Sequence, residues 1–97
     1  MRIEKDSWLD LQIATTSKQD RNSLFRSLDR LEASKVFIGK PLREPLQDCR
    51  AIRTGSYGQL RIVYQVIGSS ARIIMIGPRD GYQVYLEAAR LLGRSTL

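Results

Sequence analysis

The sequence predicts an α+β domain, in which an antiparallel sheet of three to four strands packs against two N-terminal helical segments on one face and is followed by a C-terminal helix. Apolar residues in the first third recur at helical spacing, those from Arg50 to Gly77 alternate with a period of two, and helical spacing returns from Gln83. The 97 residues, 42% apolar and 27% charged, have the size and composition of one folded domain, which we assign to residues 1–97.

The first segment, residues 7–14, fits two structures. Leu9, Leu11 and Ile13 alternate as in a strand, whereas Trp8 and Leu11 also suit a short helix. The sequence does not decide between helix and strand for this segment.

The second segment, residues 17–34, has the most distinct helical pattern. It opens with a capping-box-like Ser17 three residues before Asp20, and leucines then follow at i, i+4 and i+7. The apolar face consists of Leu24, Leu28 and Leu31, and Arg21, Arg26, Asp29, Arg30 and Glu32 are interpreted as a solvated outer face.

A loop is predicted from Ile38 to Asp48, because two prolines interrupt any regular element there. Leu42 and Leu46 are expected to insert from this loop into the core. At the other end of the chain, a helix is predicted over residues 83–93, where it stops at a glycine.

Three strands are predicted between these segments, at about 50–55, 59–67 and 71–77. The first joint, 56–58, fits a three-residue hairpin loop with glycine at its left-handed position, and the second, 68–69, fits a two-residue turn with glycine first. The strands therefore form an antiparallel meander, with one face against helices and the other partly open.

Residue usage excludes several kinds of chemistry. The chain has no histidine and one cysteine, so it has no internal disulfide, no Cys/His zinc site and no imidazole base, and we predict neither a metal nor a cofactor. Cys49 is interpreted as a small buried residue rather than a nucleophile. The longest apolar run, Ile73 to Gly77, is far shorter than the ~20 residues of a membrane span, and the first ten residues resemble no signal peptide, so we expect a cytoplasmic protein.

The net charge of +6 is concentrated in the second half of the chain. Residues 50–97 hold seven arginines, no lysine and two acids, a balance of +5. Arginine presents a rigid fork of donors that matches phosphate, so this half indicates phosphate recognition. A solvated basic surface explains the charge count equally well.

The strand pairing brings three arginines to one end of the sheet. Across the first hairpin Arg53 faces Arg61, a like-charge pair that normally requires an anion between its members. Across the second turn Arg61 is expected near Ile76, and Arg79 follows three residues later. Asp80 would neutralise only part of this cluster, while a register slip of one residue would move an arginine to the other face.

Tyr85 would border the same end, in the first turn of the last helix. Beside phosphate-binding arginines it could stack on a base or exchange a proton with a ribose or phosphate oxygen. Tyr85, Ala89 and Leu92 also lie at i, i+4 and i+7, so the ring equally fits the core.

Two stretches, "PLREPLQDCRAIRTGSYGQLRIVYQV" and "IIMIGPRDGYQVYLEAAR", resemble the RelE/ParE superfamily of bacterial type II toxins. The shared features are a proline-leucine loop, an R-[IL]-V-Y-x-V strand, a strand ending in G-x-R and V-Y-x-E-A on the final helix. The resemblance covers Gly39 to Arg90 in detail and implies a RelE-like microbial RNase fold.

The resemblance to the RelE branch implies a toxin that cuts mRNA in the ribosomal A site without a metal, by attack of the ribose 2′-hydroxyl on the neighbouring phosphate. RelE has two lysines on the first of these strands, where this chain has Ala51 and Arg53, so the general base is not identified. The implied catalytic residues are Arg53, Arg61, Arg79 and Tyr85, and the implied RNA-binding residues are Arg50, Arg53, Arg61, Arg79 and Tyr82.

Two alternatives remain, a ParE-like inhibitor of DNA gyrase without nuclease activity and a catalytically weak relative that binds RNA or the ribosome. For the RelE-like reading the expected partners are the ribosome, mRNA and a cognate antitoxin whose acidic, partly disordered segment folds over the arginines. Operator DNA is expected as a partner only of the toxin-antitoxin complex, and no membrane partner is expected.

Overall fold

The chain forms a five-stranded sheet with helices on both faces. The computed structural model describes residues 1–79 and 83–94. In chain order the elements are β1 (Arg2–Glu4), α1 (Ser7–Thr15), α2 (Lys18–Ala33), β2 (Lys40–Pro41), β3 (Cys49–Thr54), β4 (Leu60–Ile67), β5 (Ser70–Pro78) and α3 (Gln83–Leu91). The strands lie side by side in the order β1, β5, β4, β3, β2. Among the described helices, none has the length and apolar character to cross a membrane.

The α+β class and the antiparallel meander of β3, β4 and β5 are confirmed. The prediction of a purely antiparallel sheet of three to four strands is wrong, because β1 pairs in parallel with β5 at one edge and β2 pairs with β3 at the other. These edge strands are three and two residues long. A segment that short shows no period-two pattern, so the sequence contains no signal for it.

The segment that fitted both helix and strand is helix α1. Leu9 and Ile13, one helical turn apart, are buried against the sheet, whereas Leu11 is 72% exposed. Burial therefore follows the helical spacing and not the strand alternation.

Helix α2 begins as predicted, with Ser17 as its N-cap. The Ser17 side chain accepts a hydrogen bond from the Asp20 backbone N–H at 3.3 Å, which satisfies one of the free donors of the first turn. The leucine face of α2 packs with α1 on the sheet, forming a core that includes Leu24, Leu28, Leu31, Ile52, Ile62, Tyr64 and Ile73.

Helix α3 covers part of the opposite face. It buries Val84, Ala88 and Ala89 on the sheet, and two alanines in a row allow the helix backbone to approach the strands closely. The loop before β3 contributes the predicted apolar contacts, with Leu46 buried and Leu42 partly buried in the same cluster.

An ion pair connects the residues that follow α3 to the loop before β3. The Arg94 guanidinium donates to both carboxylate oxygens of Asp48, at 2.7 Å for Nη2 to Oδ2, and Nη1 donates to the Pro45 carbonyl at 2.9 Å. The Gln65 amide also donates to Asp48 Oδ2 at 2.9 Å. These hydrogen bonds, that from Arg94 first, hold the pKa of the Asp48 carboxyl well below its usual range.

Asp48→Asn is therefore expected to lower the free energy of unfolding by about 1 kcal/mol at neutral pH, a modest value because 37% of the Asp48 side chain is exposed. Because the folded-state pKa is depressed, the stabilisation is present above the ordinary value of 3.8 and is lost as the pH falls below it. Urea unfolding at neutral and acidic pH should show less acid destabilisation in Asp48→Asn than in wild type. Equal acid destabilisation in the two proteins would contradict the assignment.

Candidate functional site

The centre of the candidate site is the end of the sheet at the β3–β4 hairpin. Arg53 of β3 and Arg61 of β4 are register partners, as predicted. Their neighbours in register, Ile52 and Ile62, belong to the core under α1 and α2, so the two arginine side chains leave the strands on the α3 face of the sheet.

The pairing on the other side of β4 differs by one residue from the prediction. Arg61 was expected near Ile76, but its partner on β5 is Gly77, because a β-bulge between Val63 and Tyr64 shifts the register. Gly77 has no side chain opposite Arg61. The bulge therefore places a residue without a side chain opposite Arg61, and the Val84 side chain of α3 packs over it.

Backbone carbonyl groups hold the Arg61 side chain. Arg61 Nη1 donates to the Gly58 oxygen at 2.8 Å and to the Leu60 oxygen at 2.9 Å, in a partly buried position. Both acceptors are uncharged, and no carboxylate of the described residues pairs with Arg61 or Arg53. The guanidinium is thus oriented but keeps its charge and its remaining donors.

Arg53 lies against the same hairpin loop. A Cβ atom built on Gly58 would come within 2.1 Å of Arg53 Nε, so the guanidinium occupies the space that a side chain at position 58 would fill. Gly58 has a φ of +70°, a conformation that favours glycine. Gly58 therefore supports both arginines, through its carbonyl group and through its missing side chain.

Gly58→Ala is expected to weaken the RNA binding and cleavage that the resemblance implies at least tenfold, because the methyl group displaces Arg53. The strained φ should lower stability by about 1 kcal/mol. Gly68→Ala is the matched control, since Gly68 also has a positive φ, of +60°, but no atom lies within 4 Å of the position that its Cβ would take. Thermal unfolding should shift equally in both variants, and an equal loss of RNA binding would refute the role of Gly58.

The third arginine, Arg79, follows β5 directly. Its backbone N–H donates to the Gln59 carbonyl at 2.8 Å, which fixes the start of the Arg79 segment to the hairpin. The Gln59 side chain donates in turn to Asp20 on α2 at 2.9 Å. Asp20 also accepts from the Ser56 backbone N–H, the main cause of its lowered pKa. The Asp20 carboxylate therefore accepts its hydrogen bonds from the β3–β4 loop.

Tyr85 lies in the first turn of α3, next to Val84. The Val84 side chain is 3.2 Å from the position of a Cβ on Gly77, so this turn sits over the strand partner of Arg61. The Tyr85 ring is partly buried against the apolar cluster, which agrees with its alternative interpretation as a core residue. It also borders a cleft of about 500 Å³, together with Lys40, Pro41, Leu42, Arg43, Glu44, Pro45, Leu46, Leu86 and Ala89.

The predicted RNA-binding residue Arg50 does not join this group. Arg50 is the register partner of Tyr64 and so lies on the opposite face, where its guanidinium donates to the Gly39 oxygen at 3.0 Å. Tyr82 lies outside the described residues. Ala51, at the position where the resemblance leads one to expect lysine, is buried.

Cys49 has the properties of a structural residue. It is buried, and burial is the main cause that raises the pKa of its thiol to about 12. The thiol is therefore protonated at neutral pH and is a poor nucleophile.

Sequence reasoning missed the contribution of the β2 region to the site. Lys40 and Arg43 line the cleft beside Tyr85, but on the sequence they were only part of a proline-containing loop. No local pattern indicates that this loop faces α3. The contact forms across more than 40 residues of chain and depends on the tertiary fold.

Comparison with known proteins identifies the fold. No protein-family model and no curated protein matches the sequence. Among solved structures, a free-state double arginine-to-alanine variant of the E. coli toxin RelE is 25% identical, with a TM-score of 0.68 over 92% of this chain and 94% of that one. A similar variant in complex with a RelBc antitoxin peptide is 28% identical, with a TM-score of 0.62 over 90% and 92% of the two chains.

The isolated E. coli RelE toxin is 23% identical, with a TM-score of 0.61 over 94% of this chain and 97% of that chain. The chain therefore has a RelE-like toxin fold, as the resemblance implied. These likenesses support a toxin of the RelE type.

Proposed function

We propose that this chain, which has the fold of the RelE toxins, is the toxin of a type II toxin-antitoxin system and cleaves mRNA in the ribosomal A site. The observation that carries this proposal is the direct opposition of Arg53 and Arg61, with no carboxylate of the described residues paired to either. Two facing cations repel each other by some tenths of a kcal/mol, and a phosphate between them turns this repulsion into attraction.

The arginines suit a reaction in which the ribose 2′-hydroxyl attacks the adjacent phosphorus. The 2′-O–P bond forms, the P–5′-O bond breaks, and the products are a 2′,3′-cyclic phosphate and a 5′-hydroxyl. Negative charge accumulates on the phosphorane oxygens in the transition state, where fixed guanidinium donors stabilise it. Arg61, held by two carbonyl groups, provides such a fixed donor, and Arg79 follows from the neighbouring strand.

Removal of the 2′-hydroxyl proton needs a different group, because arginine stays protonated in proteins. Ala51 supplies no base, and among the described residues Tyr85, in the first turn of α3, is a candidate for this role. We propose that Tyr85 or a group of the ribosome accepts the 2′-hydroxyl proton. The cleft beside Tyr85 would receive the attacked nucleotide, with Lys40 and Arg43 near its backbone.

Ala51 also supports a second candidate, a relative that binds RNA or the ribosome but cleaves weakly. A buried alanine occupies the position where RelE has a lysine, so one cationic group of the family is missing. A ParE-like inhibitor of gyrase would share the fold without using the arginine cluster in catalysis.

For partners we propose a cognate antitoxin, the ribosome and mRNA. A RelE structure contains an antitoxin peptide, which supports an antitoxin for this chain as well. An acidic antitoxin segment would cover the arginines in the resting cytoplasmic complex, and the complex rather than the free toxin would bind operator DNA. Residues 1–97 would form the single toxin domain.

Expression in bacterial cells distinguishes these functions. Pulse labelling should show that protein synthesis stops while DNA synthesis continues, and primer extension should show new ends in translated mRNA. Arrest without mRNA ends would favour the ribosome-binding relative. DNA-damage signalling with intact protein synthesis would refute the proposal in favour of gyrase.

A further inference from the structure

A second group of arginines borders a cleft between α2 and the edge of β3. Arg26 and Arg30 lie one helical turn apart on α2, and Arg53 reaches the cleft from β3. The cleft has a volume of about 430 Å³ and is lined by Ser23, Arg26, Ser27, Arg30, Arg53, Thr54, Gly55 and Gly58. From the sequence, Arg26 and Arg30 were interpreted only as part of a solvated helix face.

The cleft exists because β3 is uncovered at this end. Strand β2 pairs only with Arg50 and Ala51, so the last residues of β3 have no strand neighbour on that side. Arg53 therefore borders both the cleft and the β3–β4 hairpin.

Hydroxyl groups fix the floor of the cleft. The Ser27 and Thr54 hydroxyl oxygens are 2.8 Å apart in a buried hydrogen bond, and the Gly55 backbone N–H donates to Ser23 Oγ at 3.0 Å. These contacts tie α2 to the start of the hairpin. The arginines of the cleft therefore lie on two elements that are joined by hydrogen bonds.

The charge of the cleft is not compensated. Within residues 1–79 and 83–94, none of the three arginines forms an ion pair. No lining residue is acidic, and Asp20, at the start of the same helix, is occupied by Ser56 and Gln59 of the hairpin. Like charges four residues apart on a helix are unfavourable, so an anion in the cleft would relieve this repulsion.

We propose that this cleft binds the phosphodiester backbone of an RNA, as a second contact that continues from the catalytic face around the sheet edge through Arg53. The lining contains no apolar side chain that would anchor an acidic peptide, whereas guanidinium and hydroxyl groups are donors for phosphate oxygens. Tyr57, between the two lining glycines, is 85% exposed and offers its ring to a base. This contact extends the proposed function, but it does not require that the chain cleaves RNA.

The test measures the affinity of the full chain for a fluorescein-labelled single-stranded RNA over a series of salt concentrations. Arg26→Ala combined with Arg30→Ala is expected to weaken binding roughly tenfold and to lower the slope of log K against log salt by about 1 to 2. The matched control combines Lys18→Ala with Arg21→Ala, which removes the same charge from the same helix but outside the cleft. A labelled fragment of ribosomal RNA serves as the second probe. If the Arg26→Ala, Arg30→Ala variant loses more affinity for the single-stranded RNA, the cleft binds mRNA. If it loses more affinity for the ribosomal fragment, the cleft binds the RNA of the ribosome.

Equal losses in the two double variants would overturn the proposal, because only diffuse charge would then be involved. Intact RNA binding with lost binding of polyglutamate would also overturn it and assign the cleft to an acidic peptide. Circular dichroism checks that each variant is folded. The combination of Arg26→Lys with Arg30→Lys keeps the charge and should retain most of the slope of log K against log salt. Cleft-dependent RNA binding without any cleavage on ribosomes would refute the nuclease function and leave this proposal standing.

Discussion

Arg79→Ala is expected to lower the rate of mRNA cleavage on ribosomes by about 100-fold or more. One preorganised donor to a developing oxyanion contributes roughly that factor to an enzymatic rate. The side chain is exposed, and its anchor to Gln59 uses the backbone N–H, which alanine retains. Stability should therefore change by less than about 0.5 kcal/mol. Single-turnover cleavage and thermal unfolding of the same preparations measure both quantities.

The control for Arg79→Ala is Arg2→Ala, which removes a charge that is also exposed, from β1 at the far edge of the sheet. Similar losses of activity in both variants would show that net charge and not position matters. Tyr85→Phe in the same assay separates the two roles of the ring. Retained cleavage assigns stacking or packing to the ring, and lost cleavage assigns the hydroxyl to proton transfer.

Tyr64→Ala is expected to lower the free energy of unfolding by about 3–5 kcal/mol, the largest stability effect we expect in this chain. Among the described residues Tyr64 has the largest fully buried side chain, and its ring centroid lies 6.4 Å from that of Phe37. Its hydroxyl donates a hydrogen bond to the Ile38 carbonyl. The tyrosine of the R-[IL]-V-Y motif thus connects the central strand to the loop after α2.

Tyr64→Phe separates the ring from the hydroxyl and is expected to cost about 1 kcal/mol, since it removes only the partner of the Ile38 carbonyl. Urea unfolding of both variants provides the measurement. A loss below about 1 kcal/mol for Tyr64→Ala would show that the motif tyrosine does not organise the core. Burial also raises the pKa of Tyr64, so its hydroxyl stays protonated and suits a structural role better than a catalytic one.

The sequence predicted those parts of the fold that have a clear period or a local cap. Ser17 predicted the start of α2, and period two predicted the meander, including the pair of Arg53 and Arg61. The edge strands were too short to show a period. The bulge after Val63 was hidden because residues 73–76 are all apolar, so a shift of one residue leaves no trace in the pattern.

The site was predictable only as far as strand register determines it. Register brings Arg53 and Arg61 together. Strand alternation places Arg50 on the other face, although the family resemblance had implied Arg50 as an RNA-binding residue. The role of Gly58, the β2 loop beside Tyr85 and the arginines of α2 depend on contacts between distant segments. Such contacts have no local signature in a single sequence.

The central claim is that the arginine face promotes attack of a ribose 2′-hydroxyl on mRNA held in the ribosome. The most direct test is primer extension on ribosomes programmed with two mRNAs, which differ only by a 2′-deoxy substitution of the nucleotide before the cut in the A-site codon. We predict a cut in the unmodified mRNA that disappears both with the 2′-deoxy mRNA and with Arg79→Ala. Cleavage of the 2′-deoxy mRNA, or no cleavage of either mRNA by the wild-type chain, would contradict the claim.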